Sequence, residues 1–227
     1  HVRRMLRIML DHGQDYDRGE NFNRTVTLSL LLWAAEARGT ADIPSLDSLD
    51  LGPSMDVEFH NGLLYAIGEG KLHVVDVSDP GSPQVKGTIG GLGRVRQLCV
   101  ADGVAYVTSR EDGLYLVDVS SPEQMRVLAH YDTIELATGM EVSGDVAFVA
   151  CRTAGVELVD VSSPDKLEHL STVRTGEAQS TCARNGILYV GVWGSAELVI
   201  CDVSNPHKPA VLSKATLEGY GDGVTVR

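Results

Sequence analysis

From about residue 53 onward the apolar residues fall in short β-rich runs broken by polar turn residues, and no helical period of ten or more residues develops between them. Arg96–Val100, Val104–Thr108, Leu114–Val119 and Met125–Tyr131 are four such runs. The first two are separated by Asp102-Gly103, and equivalent dipeptides stand at Asn61-Gly62, Gly144-Asp145 and Asn185-Gly186. Such pairs tolerate the positive φ that type I′ and II′ hairpin turns demand, so each predicts a hairpin. An aromatic follows every one, at Tyr65, Tyr106, Phe148 and Tyr189. The pattern predicts units of four short antiparallel strands, the third buried on both faces.

These units repeat at a fixed interval. LVDVSSP occurs at 116–122 and again at 158–164, with degraded copies LHVVDVSDP at 72–80 and LVICDVSNP at 198–206. The Asp-Val-Ser triplet therefore begins at Asp76, Asp118, Asp160 and Asp202, forty-two residues apart each time. Four strands per forty-two residues describe the blade of a β-propeller. The triplet has a mechanical reading at the end of the third strand. Its Asp is a turn cap, because a short carboxylate accepts hydrogen bonds from backbone N–H groups of the following turn. Pro80, Pro122, Pro164 and Pro206 then stop the strand, having no N–H for a ladder. The aromatic-to-Asp gap varies from eleven to thirteen residues, and that slack falls between the second and third strands, marking an exposed, variable loop.

Units such as GVAYVTSREDGLYLVDVSSP and GDVAFVACRTAGVELVDVSSP resemble the LVIVD repeat of bacterial and archaeal proteins. The likeness covers about residues 53–227 and implies an all-β propeller. WD40 repeats would carry Gly-His and Trp-Asp pairs, and kelch repeats a recurring Gly-Gly that occurs here only at Gly90-Gly91. The resemblance implies architecture and a tendency to export; it names no reaction.

The reading divides the chain into residues 1–42 and a partial propeller at 43–227. Four full blades occupy about 53–94, 95–135, 136–177 and 178–218, and 219–227 open a fifth, which predicts a fragment of a larger ring. Ile43–Leu51 is a candidate closing strand that would complete a last blade and remove an exposed edge. In 1–42, HVRRMLRIML and TVTLSLLLWAAEARG carry helix-like apolar spacing. A second reading takes Thr25–Ala35 as the core of a secretory signal with Ala35-Glu36-Ala37 as its cleavage site.

Composition changes the list of partners. Nineteen basic and thirty-one acidic residues give a net charge of −12, which repels phosphate backbones and sets nucleic acid aside. No apolar stretch approaches the length of a membrane span. The four cysteines are expected as free thiols, since Cys99 and Cys182 fall two blades apart.

Recognised catalytic and metal motifs are missing. GGLGRV at Gly90–Val95 reads as an interblade turn, His60 and His73 as incidental, and no cofactor or metal is expected. The four triplet aspartates sit one per blade, too dispersed for one ion. Non-repeating positions on a repeating scaffold are a better guide to function. Glu69, Arg110, Arg152 and Trp193 are the first residues of the variable loops, all on one face of a propeller. With Arg94, Arg96, Glu111, Asp112 and Arg174 they predict a positive and aromatic loop face, the composition of binding hot spots. The functional expectation is a non-catalytic binding or scaffold module, exported or at the cell surface, recognising a protein or glycan through that face. The alternative is a propeller polysaccharide lyase or hydrolase. For it, Glu58 and Glu141 are the candidate carboxylates, sharing the inner-strand register of Cys99 and Cys182.

Overall fold

A computed structural model of the chain describes residues 49–226. The helical or leader segment expected at 1–42 lies outside them. The described residues form four antiparallel meanders of four strands. The first contains β1 (Asp56–His60), β2 (Leu63–Gly68), β3 (Lys71–Asp76) and β4 (Gln84–Ile89). The second contains β5 (Val95–Ala101), β6 (Val104–Ser109), β7 (Gly113–Asp118) and β8 (Arg126–Tyr131). The third contains β9 (Met140–Ser143), β10 (Val146–Ala150), β11 (Val156–Asp160) and β12 (Glu168–Val173). The fourth contains β13 (Ala178–Arg184), β14 (Ile187–Val192), β15 (Glu197–Asp202) and β16 (Ala210–Thr216).

The hairpin dipeptides do what their chemistry allows. Asn61-Gly62, Asp102-Gly103 and Asn185-Gly186 have positive φ at both residues, and Gly144-Asp145 has it at Gly144, giving the I′ and II′ geometries that match strand twist.

Sheets pack face to face in chain order, with β5 on β1 and β2, β9 on β5, and β13 on β9 and β10. The core therefore lies between blades. Ile67, Leu72 and Val74 meet Leu98, Val107 and Val117; Leu114 and Leu116 meet Met140, Val149 and Val159; Val156 and Leu158 meet Leu188, Val190 and Val199. The apolar runs of the third strands are what this arrangement requires, because such a strand between two blades has a neighbour on both sides.

The Asp-Val-Ser triplet makes two kinds of contact. Each Asp Oδ1 accepts the backbone N–H of the serine two residues on, at 2.9–3.1 Å. The intervening Val77, Val119, Val161 and Val203 are buried. In the last three blades the valine N–H also donates to the hairpin turn, at the carbonyls of Gly103, Asp145 and Gly186. There the triplet ties the end of the third strand to the first hairpin of its own blade.

A β-bulge recurs at one place in every blade. The register of the third and fourth strands shifts between Val74 and Val75, between Leu116 and Val117, between Leu158 and Val159, and between Ile200 and Cys201. An extra residue in the outer strand bends it and increases its twist. The residue just past each bulge is small: Gly87, Ala129, Ser171 or Ser213. The reason is visible at two of them. A Cβ on Gly87 would lie 1.8 Å from the carbonyl oxygen of Pro122 in the next blade, and Ser171 Oγ donates to the carbonyl of Pro206. Pro122 and Pro206 therefore also seat against the preceding blade.

At the ends, Leu49 and Leu51 pack beside Leu64, Val75 and Val77 of the first sheet. Residues 49–51 form no strand, so the closing strand expected at Ile43–Leu51 does not extend into the described residues. Packing of leucines against an existing sheet needs no ladder, which is why an alternating pattern is satisfied there without one. Residues 219–226 are likewise irregular but lie along β13, where Ser180 Oγ donates to the Gly221 carbonyl and Arg184 to that of Val226.

Candidate binding site at the channel mouth

The loops between second and third strands in each sheet emerge on one face. Their tight geometry is enforced by residues at positive φ: Glu69 and Gly70, Gly113, Arg152 and Gly155, and Ala196. Three of the six candidate residues meet there. Arg110, Arg152 and Trp193 line one cavity of about 730 Å3, with Asp56, Arg96 and Gln97, Thr138, Glu177 and Gln179, and Asp222. These residues come from all four blades and from the segment after β16, so the cavity is the mouth of the central channel. Glu69, Arg94 and Arg174 do not line it. Glu69 and Arg174 are exposed, and Arg94 is held by Glu111 at 2.7 Å.

The expected positive character is balanced in the mouth itself. Arg96, Arg110 and Arg152 share the lining with Asp56, Glu177 and Asp222. These acids come from the inner strand, the interblade turn and the segment after β16, which loop alignment does not reach. Arg152 is paired with Glu177, and its carbonyl accepts the Ala178 N–H at 2.9 Å. Arg110 has a looser neighbour, its Nε lying 3.8 Å from Glu111 Oε1. Trp193 is stacked on Tyr220, with ring centroids 4.9 Å apart and planes inclined by 24°.

Much of the remaining polar lining is engaged in joining the blades. Asp56 Oδ2 accepts the Leu98 N–H at 2.9 Å, and Gln97 Oε1 accepts the Met140 N–H at 2.6 Å. Thr138 Oγ1 lies 3.1 Å from each of the carbonyls of Ala150 and Ala178. The donor and acceptor are forty-two residues apart for Asp56 and Leu98, one repeat period, but the side chains that bridge differ from blade to blade. That is why the repeat alone did not reveal them.

Below the mouth, Glu58, Cys99, Glu141 and Cys182 face Tyr65, Tyr106, Phe148 and Tyr189 in cross-strand register. Glu58 Oε2 accepts the Val100 N–H at 2.7 Å, a structural bond to the next blade. Burial pushes the carboxyls of Asp56, Glu58 and Glu141 above their ordinary values, although backbone N–H groups pull the first two back down. Burial beside Glu58 and Glu141 also pushes the Cys99 thiol up to about 12, which leaves it a neutral thiol and a poor nucleophile at pH 7. All four cysteines are free. Among the described residues, no group of three or more His, Cys, Asp and Glu side chains could hold a metal ion.

These shifts have a definite sign. A carboxyl whose pKa is raised on folding binds its proton more tightly in the folded chain, so folding gains stability as pH falls through the folded value toward the unfolded value of 4.5. The turn aspartates act oppositely. Hydrogen bonds from the serine two residues on hold Asp76, Asp118, Asp160 and Asp202 below the ordinary 3.8, so their contribution is present above that value and lost in stronger acid. The melting temperature is therefore expected to rise on mild acidification from neutrality and fall again in stronger acid. A Glu58→Gln, Glu141→Gln variant should lose part of the rise while keeping the acid fall. Identical profiles in melting experiments across pH would contradict this assignment.

The LVIVD repeat matches the chain four times, over residues 52–90, 92–133, 136–175 and 175–216. No curated protein matches the chain. Among solved structures, a protein from Lactobacillus plantarum superposes with a TM-score of 0.67 at 16% identity, over 88% of this chain and 66% of that one. The computationally designed Ika8 protein gives 0.59 at 10% identity, over 77% and 52%. The β-propeller domain of Cps50 (Swd1) from Myceliophteria thermophila gives 0.57 at 14% identity, over 73% and 60%. At such identities the likeness carries the fold. The chain spans between 52% and 66% of the lengths of these three proteins. Among the described residues no helix is long and apolar enough to cross a membrane.

Proposed function

The chain belongs to the LVIVD-repeat family of β-propellers, and from that premise we propose that it is a non-catalytic binding module whose protein or glycan partner seats at the channel mouth. One observation carries this reading. The first positions of three variable loops, Arg110, Arg152 and Trp193, converge from three different blades on a single cavity. Its volume of about 730 Å3 falls within the roughly 300–1,000 Å3 of small-ligand sites. Arg and Trp are residue types that concentrate binding energy when held in a fixed pocket. Arg152 is fixed by Glu177 and Trp193 by Tyr220. Export or display at the cell surface is part of the proposal and is supported by the family resemblance. The carboxylates of the enzymatic alternative argue the other way, since Glu58 is engaged with the backbone of the next blade.

The test is a panel of oligosaccharides and hexapeptides passed over the immobilised intact chain. Members that bind are expected to lose about tenfold or more in affinity to an Arg110→Ala, Trp193→Ala variant, and to bind normally to Lys214→Ala on the outer strand β16. Binding that ignores the double variant, or none from any panel member, overturns the proposal.

A further inference from the structure

We infer that the mouth captures the free C-terminal carboxylate of a peptide segment, held by the guanidinium groups of Arg110 and Arg152. This rests on the reading of the mouth as a binding site and chooses a protein partner for it. Both arginines line the cavity, and both carry donors that the fold leaves unused. Arg152 Nη2 is paired with Glu177, but its Nε is buried without a hydrogen-bond partner. A buried donor left unpaired destabilises the chain that holds it, and native structures rarely keep one without a use. Arg110 Nε lies 3.8 Å from Glu111 Oε1, beyond hydrogen-bond length, and its two Nη groups meet no acceptor among the described residues.

A carboxylate is the acceptor that suits these donors. It presents two oxygens to a guanidinium fork and makes stronger hydrogen bonds with it than a neutral hydroxyl does. The acids of the lining are not placed to do this. Asp56 Oδ1 and Oδ2 accept the N–H groups of Val57 and Leu98, and Glu177 is paired with Arg152. Asp222, exposed on the segment after β16, offers an acceptor for the N–H groups that a peptide carries beside its terminus. Trp193 in the same lining offers apolar surface to the last side chain. A chain end adds a single negative charge, whereas a polyuronate adds one per sugar against a chain that already carries −12. A neutral glycan would meet the arginines with hydroxyls only.

Calorimetric titration of the intact chain with hexapeptides that vary in their last residue, each as the free acid and as the C-terminal amide, tests this, with cellohexaose and hexagalacturonate beside them. At least one free acid is expected to bind. Its affinity should fall about tenfold or more on amidation and with Arg110→Gln, and severalfold with Arg152→Lys, which keeps the charge beside Glu177 but lacks the Nε donor. It should also weaken between ~50 and ~500 mM salt. An amide bound as tightly as its acid, or an affinity unchanged by Arg110→Gln or by Arg152→Lys, overturns the carboxylate subsite; the mouth stands as a binding site if the Arg110→Ala, Trp193→Ala variant still loses that ligand. An oligosaccharide bound through Arg110 and Trp193, with no peptide bound, overturns the subsite in the same way. Should no ligand depend on Arg110 and Trp193, both readings fall.

Discussion

Replacing Leu158 by alanine is expected to lower the unfolding free energy by about 3–5 kcal/mol. The side chain is fully buried in the core between the third and fourth sheets. Its strand β11 is the third of its blade, and Leu158 pairs with Phe148 on one side and Ser171 on the other. Deleting its branched end removes transfer energy and leaves a cavity that two sheets would have to shift together to close. Chemical denaturation of the variant beside the parent chain reads the loss. A change below about 1 kcal/mol would show that the blades do not share a tightly packed core.

Gly87→Leu is expected to cost about 3 kcal/mol for the opposite reason, too much matter where the next blade already sits. The new Cβ would lie 1.8 Å from the Pro122 carbonyl oxygen and the rest of the side chain beside Met125. The colliding atom is backbone, so no rotamer change relieves it. Ser213→Leu is the matched control. Ser213 holds the same place past the bulge in β16, and every residue of that strand is exposed, so the change should stay within about 0.5 kcal/mol. Equal effects at the two positions would refute the idea that Gly87 is small because of interblade contact.

Much of this fold was legible because its physics repeats. The hairpin turns, the strand runs and the capped ends of the third strands recur every forty-two residues, and each of these local devices needs only neighbours in sequence. The interblade chemistry was not legible. Asp56, Gln97, Thr138 and Ser171 do comparable jobs with different side chains, so they leave no repeated letter behind. The bulges were hidden for another reason: an inserted residue in an outer strand keeps the period unchanged when every blade carries it.

Of the candidates, Arg110, Arg152 and Trp193 line the cavity, whereas Glu69, from the same loop alignment, and Arg94 and Arg174, from the other loops, do not. Loop position predicts a face; only packing decides which side chains turn toward the channel. Tyr220 and Asp222 were missed because they belong to an irregular stretch that follows β16, where no repeat register could assign them a place.

Arg110, Arg152 and Trp193, the first residues of three variable loops, are proposed to make one binding site at the channel mouth. Amide chemical shifts of the isotopically labelled chain, recorded with and without the oligosaccharide and peptide panel, test it most directly. Shifts are expected to concentrate at Arg110, Arg152, Gln179 and Trp193 while β4, β8, β12 and β16 stay unchanged. Shifts confined to those outer strands, or none with any panel member, would contradict it.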